Sequence, residues 1–343
     1  MNRMIRSGAL AALIAATALL VAAPLALAHP GHSHEGPKKG KHKKHKKSQK
    51  GSRAKALRST QKPQKVAIEF AALNGGKPVS CSKPIANLGT SSRTARLTDL
   101  RFYVSEVQLL RKGGGVVDVE LPANSEWSYA KGVAAVTLID LENGTGSCAA
   151  EGTKAMNTAV RGTVPKASYS GIRYSLSVPD SLSHTDLTAM PAPLNNTAMG
   201  WSWQFGRKFA KIEVSESPGG PAWGSKTFFV HLGSTDCKGD PAAGEKARCS
   251  LPNRNQVTLA KFNPARQRIA IDLKTLLGSV DVAGTGGMGS MAGASADDGM
   301  GMPMGGCMSG TTEPDCKPIF KTLGLKLGTN KKTAQTAFRV IGK

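Results

Sequence analysis

Histidine is scarce where it would matter most. The 343-residue chain has seven, and past His45 only His184 and His231 remain. Aromatic residues make up 5% of the chain, four of them tryptophan, so each Trp position carries weight. No C-x-x-C spacing occurs, which removes the usual framework of a cysteine-based zinc site. The G-x-S-x-G elbow, H-E-x-x-H, the P-loop and C-x-x-C-H are missing as well, so the sequence reads as that of a non-enzyme. Beyond the N-terminus, no segment approaches the ~20 apolar residues that a spanning helix requires.

The first 28 residues have the form of a secretory leader. Arg3 and Arg6 give a charged start, Ala9 to Ala23 an apolar run, and Ala26-Leu27-Ala28 a small-x-small cleavage site. The expected location is periplasmic or secreted. Six cysteines (Cys81, Cys148, Cys237, Cys249, Cys307 and Cys316) fit an oxidising compartment and predict disulfides. Sequence proximity favours Cys237–Cys249 and Cys307–Cys316, which leaves Cys81–Cys148.

Acidic charge is missing from residues 38–65, which hold thirteen Lys/Arg. A single-sign run with almost no apolar content cannot offset its chain entropy, so residues 29–65 are expected to be a disordered His/Lys-rich tail. Much of the net charge of +23 resides there; residues 66–343 hold 31 basic and 22 acidic residues. The tail suits an anionic envelope surface. Nucleic acid is not an expected partner, because the chain is exported and the tail has no aromatic residue to stack on bases.

From Val66 the apolar residues alternate: Ile68/Phe70, Leu100/Phe102/Val104, Val117/Val119/Leu121, Ile172/Tyr174/Leu176/Val178, Phe228/Val230/Leu232 and Ile269/Ile271/Leu273. Period two with Gly- and Asn-rich turns predicts half-buried antiparallel strands, hence a mainly β fold, an antiparallel β-sandwich with long loops. One domain over 66–343 is expected, with short helices at Thr153–Val164 and Pro318–Leu323. Residues 282–315 form a Gly/Met-rich insert expected to be a flexible loop. The acid pairs Asp140/Glu142 and Asp297/Asp298 read as solvated loop residues.

The segment Ser181 to Glu213 carries the most specific signal. It contains His184-x-Asp186, Pro193-Leu194-Asn195 and Met199-x-Trp201-Ser-Trp203-Gln204-x-Gly206-x-Lys208-Phe209, and His231-Leu232-Gly233-Ser234-Thr235 follows. Alternation with Phe228 and Val230 places His231 on the face opposite those apolar side chains. Met199, Trp201 and Trp203, at spacing two, also suit one packed face of a strand. His184 precedes a Pro-rich turn and can fold across towards His231.

These words, with Gly306-Cys307-Met308-Ser309-Gly310 and Asp315-Cys316-x-Pro318-Ile319-Phe320, resemble the MbnP family of secreted bacterial copper-binding proteins, encoded beside a di-haem MauG-like enzyme. The resemblance covers most of 66–343. It implies a Cu(I) site in which His184 and His231 are imidazole ligands and Trp201 or Trp203 is oxidised by that partner to kynurenine, whose amine joins them. The role implied is copper acquisition or storage. Trp127 and Trp223 lie outside the motif. Arg207 stands where the family pattern leads one to expect an aromatic residue, a departure expected to alter packing or partner docking more than ligation.

Two further regions carry metal-ligand chemistry. Cleavage after Ala28 would expose an amine and the His29 imidazole, with His32 and His34 nearby. Met300, Met302 and Met304 offer soft thioethers for Cu(I). The competing reading is an envelope-associated interaction module whose basic tail binds anionic surfaces and whose core holds no metal.

Overall fold

Strand alternation translates directly into two facing sheets. The computed structural model describes residues 62–122, 124–202, 204, 206–284 and 305–343. The leader, residues 29–61 of the tail with His29, His32 and His34, Trp203, Asp297/Asp298, and Met300, Met302 and Met304 lie outside the described residues, whereas Pro63, Gln64 and Lys65, expected to be disordered, pair with Pro165, Val164 and Thr163 as a strand.

The larger sheet is organised around one long strand, Arg93–Arg111, which pairs antiparallel with Ala210–Glu216, Tyr169–Leu176, Ala134–Asp140, Ile85–Leu88 and Val116–Asp118. Its flank continues through Thr227–Leu232 to Gly305–Cys307. The smaller sheet is built on Pro63–Asn74, paired with Gln267–Asp272, Ala159–Pro165 and Lys77–Pro78, and it ends in Phe338–Gly342. Pro63–Asn74 thus begins ahead of the expected domain start at 66.

Four rings join the sheets. Phe70 and Phe338 from the smaller sheet interlock edge-to-face with Phe102 and Tyr174 from the larger, at centroid separations of 5.5 to 5.9 Å. Buried aromatic area of this kind dominates a sandwich core, and edge-to-face pairs add about 0.5–1.5 kcal/mol each beyond burial. The predicted β-sandwich is therefore present. Two of its ladders, Pro63–Asn74 with Gln267–Asp272 and Thr227–Leu232 with Gly305–Cys307, run parallel. Both join strands far apart in sequence, as parallel pairing requires.

The helix expected at Thr153–Val164 does not form. Asn157 bridges Asp140, and Ala159–Pro165 is a strand zipped onto Pro63–Asn74. Val160, Thr163 and Val164 are β-branched and suit a pleated surface better than a helical turn. The helix expected at Pro318–Leu323 is present as Cys316–Leu323, closed by Gly324 at φ 83°. All three disulfides form as sequence proximity suggested: Cys81–Cys148, Cys237–Cys249 and Cys307–Cys316. Among the described residues, no helix is long and apolar enough to cross a membrane.

Candidate functional site

The long central strand is buried on both faces through its middle. Leu100, Phe102 and Val104 face the smaller sheet, whereas Asp99, Arg101, Tyr103 and Ser105 point the other way and are also buried. Loops cover this polar outer face: Glu151 reaches Arg101 and Lys211, and Pro193 accepts a 2.7 Å hydrogen bond from the Tyr103 hydroxyl.

Strand register lines up the charges beneath that cover. Asp140, Arg101, Lys211 and His231 are successive cross-strand neighbours, and Glu213 pairs with Asp99 one step along. Asp99 receives both Arg101 and Lys211, the latter at 2.7 Å. Lys211 also lies 3.2 Å from Glu213 and 3.2 Å from Glu151. Buried ions persist only when paired and hydrogen-bonded, which this arrangement achieves with two acids and two bases in its interior. Asp140 and Glu142 are fully buried, contrary to the solvated-loop expectation. Glu142 accepts hydrogen bonds from the Gly144 and Thr153 amides, and Asp140 accepts one from the Thr153 hydroxyl. Burial, then the neighbouring Glu142, pushes the Asp140 carboxyl up to about 7.

His231 sits at the end of the charged row with its ring on the polar face, as the alternation predicted. Its Nε2 hydrogen-bonds Glu213 at 2.6 Å. Burial pulls the His231 pKa down, with Glu213 opposing and Lys208 and Lys211 adding to the fall. Burial acts against the Glu213 charge, but the bonds to His231 and the nearby Lys211 hold its pKa below the ordinary value. A neutral imidazole donating from Nε2 to an ionised carboxylate keeps its lone pair on Nδ1. That is the state a metal-ligating histidine needs, with the carboxylate behind it fixing the tautomer.

His184 ends the short helix Asp180–Ser183. One edge of its ring, at Nδ1, faces Gly206, where a methyl group would come within 2.9 Å. The other, Nε2, lies 3.6 Å from Sγ of Cys249. Gly206 adopts φ 76° and closes a loop in which the Trp201 amide donates to the Gly206 carbonyl at 3.0 Å. The Trp segment is accordingly a loop rather than the strand face that its spacing suggested. Thr197–Met199 is a helical turn with Met199 fully buried, and Gly200 bridges Arg207. The half-buried Trp201 ring lies over Gly233, whose added methyl would meet Cζ3 at 2.7 Å. Gly233 is two residues past His231. The structure thus sets Trp201 against the end of the His231 strand and sets its loop against His184.

Arg207 ties these pieces together. Its guanidinium is buried; Nε donates to the Leu194 carbonyl at 2.9 Å, and Nη1 donates to the carbonyls of Leu182, Ser183 and Thr185. Those three residues bracket His184. Burial lowers the Arg207 pKa, with Tyr103 and Asp186 opposing. Sequence reasoning marked Arg207 as a departure without seeing that it shapes the His184 turn, and it missed Glu213 altogether. A signal for Glu213 existed: in Ala210-Lys211-Ile212-Glu213-Val214 the charged residues alternate with apolar ones, which places both on the face that His231 shares.

On this face His231 is the side chain with metal-ligating chemistry. Among the described residues, the only groups of three or more His, Cys, Asp or Glu with converging ligand atoms are Cys81/Glu142/Cys148 and Cys307/Glu313/Cys316. In both, the sulfurs are spent in disulfides. A neutral imidazole backed by a carboxylate fits Cu(I).

Comparison with known proteins agrees with the sequence words. The family model MbnP matches residues 63–294. MbnP from Methylosinus trichosporium, a solved structure, superposes with a TM-score of 0.68 at 32% identity, covering 82% of this chain and 99% of that one. No curated protein matches. With a family match over most of its length and a relative of the same fold at this identity, the chain belongs to the MbnP family.

Proposed function

We propose that the protein is an exported copper carrier, a binding protein rather than an enzyme, that takes up copper as cargo for acquisition or storage. His184 and His231 supply imidazole nitrogens, and a kynurenine formed from Trp201 or Trp203 by a MauG-like di-haem partner supplies an amine. Bound copper would be held as Cu(I), which tolerates few ligands and favours neutral nitrogen donors. Membership of the MbnP family supports this reading.

The observation that carries it is the 2.6 Å bond from His231 Nε2 to Glu213. An ionised partner at Nε2 fixes the tautomer in which the Nδ1 lone pair is the one a metal would take. Glu213 and Arg207 do the positioning: one fixes the ring of His231, the other the turn that holds His184.

Copper titration of the full chain by competition with a Cu(I) chelator tests the proposal. His184→Ala and His231→Ala should each weaken the tight site at least about tenfold, since a low-coordinate site has no spare ligand. Protein produced with the partner should bind more tightly than protein produced without it. Unchanged tight binding in the double histidine variant would rule the site out and shift attention to Met300, Met302 and Met304.

A further inference from the structure

The Cys237–Cys249 disulfide differs from the other two in its surroundings. Cys81, Cys148, Cys307 and Cys316 are all buried, with at most 2% of their surface exposed. Cys237 and Cys249 are half-exposed on a separate two-stranded ribbon, Thr235–Lys238 with Arg248–Leu251. Cys249 lines a cavity of about 540 Å³ together with His184, Ser234, Lys246 and Arg248. Access is the condition that favours thiol exchange; the lining itself carries both signs of charge, Lys246 and Arg248 with Asp180 and Glu245.

Geometry adds the decisive element. A metal bonded to imidazole at about 2.0 Å and to thiolate at about 2.3 Å, with a tetrahedral angle between them, holds N and S about 3.5 Å apart. His184 Nε2 and Cys249 Sγ are already 3.6 Å apart. We infer that Cys237–Cys249 is an exchangeable disulfide whose reduction creates a second soft-metal site, with Cys249 thiolate and His184 Nε2 as ligands inside this cavity. A hydrogen-bond reading of the same contact would give it no metal chemistry, and the experiment below separates the two. The inference rests on His184 and Cys249 alone, and it stands whether or not His231 binds copper.

The chemistry balances with a dithiol reductant as co-reactant. The reductant donates two electrons and two protons; the S–S bond breaks, Cys237 and Cys249 become thiols, and the reductant leaves as a disulfide. A thiophilic d¹⁰ ion such as Cu(I) then displaces the Cys249 thiol proton to solvent as the metal–sulfur bond forms, with no change in metal oxidation state. Because the new site shares His184 with the proposed copper centre, reduction would redistribute metal between them.

Cd(II) is the probe, because its thiolate complexes give an ultraviolet charge-transfer band that histidine and methionine sites lack. Graded reduction of the full chain, with alkylation and peptide mass mapping, should open Cys237–Cys249 before the other two disulfides. The band should appear at that stage and be absent from oxidised protein. Cys237→Ser, which leaves Cys249 unpaired, should bind Cd(II) without reductant, whereas Cys249→Ser should not. Adding His184→Ala to Cys237→Ser should weaken binding at least tenfold. If Cys237→Ser fails to fold, partially reduced wild-type protein carries the same comparison. Equal Cd(II) binding with and without His184, absence of the band, or earlier opening of a buried disulfide would each overturn the inference. None of these results bears on the His184/His231 copper site, which the Cu(I) titration of oxidised protein reads separately.

Discussion

Across the antiparallel pair Ala210–Glu216 and Thr227–Leu232, Glu213 accepts a 2.6 Å hydrogen bond from Nε2 of His231. Lys211 backs the same carboxylate from 3.2 Å. The partner on the neighbouring strand fixes the ring's tautomer and orientation, while burial, with Lys208 and Lys211, favours its neutral form.

Loss of that carboxylate should be felt at the metal. Glu213→Gln keeps an acceptor oxygen for His231 but removes the charge that strengthens the imidazole donor. Copper affinity should fall about 10–100-fold, the usual range for a partner that orients a ligating histidine. Competition titration gives the affinity, and near-UV circular dichroism should show that the fold is kept. Unchanged affinity would mean that His231 is not a ligand or does not depend on Glu213.

Arg207 should matter to stability as well as to the site. Arg207→Ala would leave the buried carbonyls of Ser183 and Leu194 without their donor, while the Leu182 carbonyl would keep only the Thr185 hydroxyl. Buried acceptors stranded in this way cost about 1–3 kcal/mol each. A total loss of about 3 kcal/mol or more is expected in denaturant unfolding, along with earlier proteolysis within 180–200. Arg207→Lys cannot span the same carbonyls and should recover only part of the loss.

Sequence patterning reached the sandwich and the orientation of His231 because both depend on period two, a property local to each strand. Disulfide pairing was legible because two of the bonds close short loops, which leaves one choice for Cys81 and Cys148. Thr153–Val164 misled because its Ala- and Met-containing start masks the β-branched residues that pair with Pro63–Asn74. The Trp201 loop misled for a similar reason: spacing two implies a strand only where a neighbouring backbone is present to pair with it. Glu213 behind His231, Arg207 under His184 and Cys249 beside His184 were out of reach, since each contact joins separate segments through register and loop closure.

The buried Asp140/Glu142 pair predicts a pH dependence. Burial and the adjacent Glu142 raise the Asp140 carboxyl to about 7, above its unfolded value of about 3.9. A group raised on folding contributes stability that is fully present below the unfolded pKa and is lost as pH rises through the folded one. Melting temperature should therefore decline as pH rises from about 4 to 7, most steeply midway between the two pKa values, and level off above about 7. Asp140→Asn, which can still accept from the Glu142 amide and meet the Thr153 hydroxyl, should flatten that decline. A profile that keeps its slope in the variant would assign the dependence to other groups.

Gly233 offers a way to decide between the two tryptophans. A methyl group there would meet the Trp201 ring at 2.7 Å and 2.9 Å, so Gly233→Ala must push the indole off its present seat. Gly233 does not adopt a positive φ, so the backbone accepts alanine and the effect is one of side-chain crowding. Overpacking of this sort costs about 1–3 kcal/mol, which a folded sandwich core should survive. If Trp201 is the residue converted to kynurenine, protein made with its di-haem partner should show much less conversion in the Gly233→Ala variant. Trp201→Phe should abolish the conversion, and Trp203→Phe should leave it intact. Tandem mass spectrometry of the peptide that contains both tryptophans reads all three results. Conversion that survives Trp201→Phe and is lost in Trp203→Phe would assign the modified residue to Trp203, leaving Trp201 as the ring that packs the loop onto the end of the His231 strand.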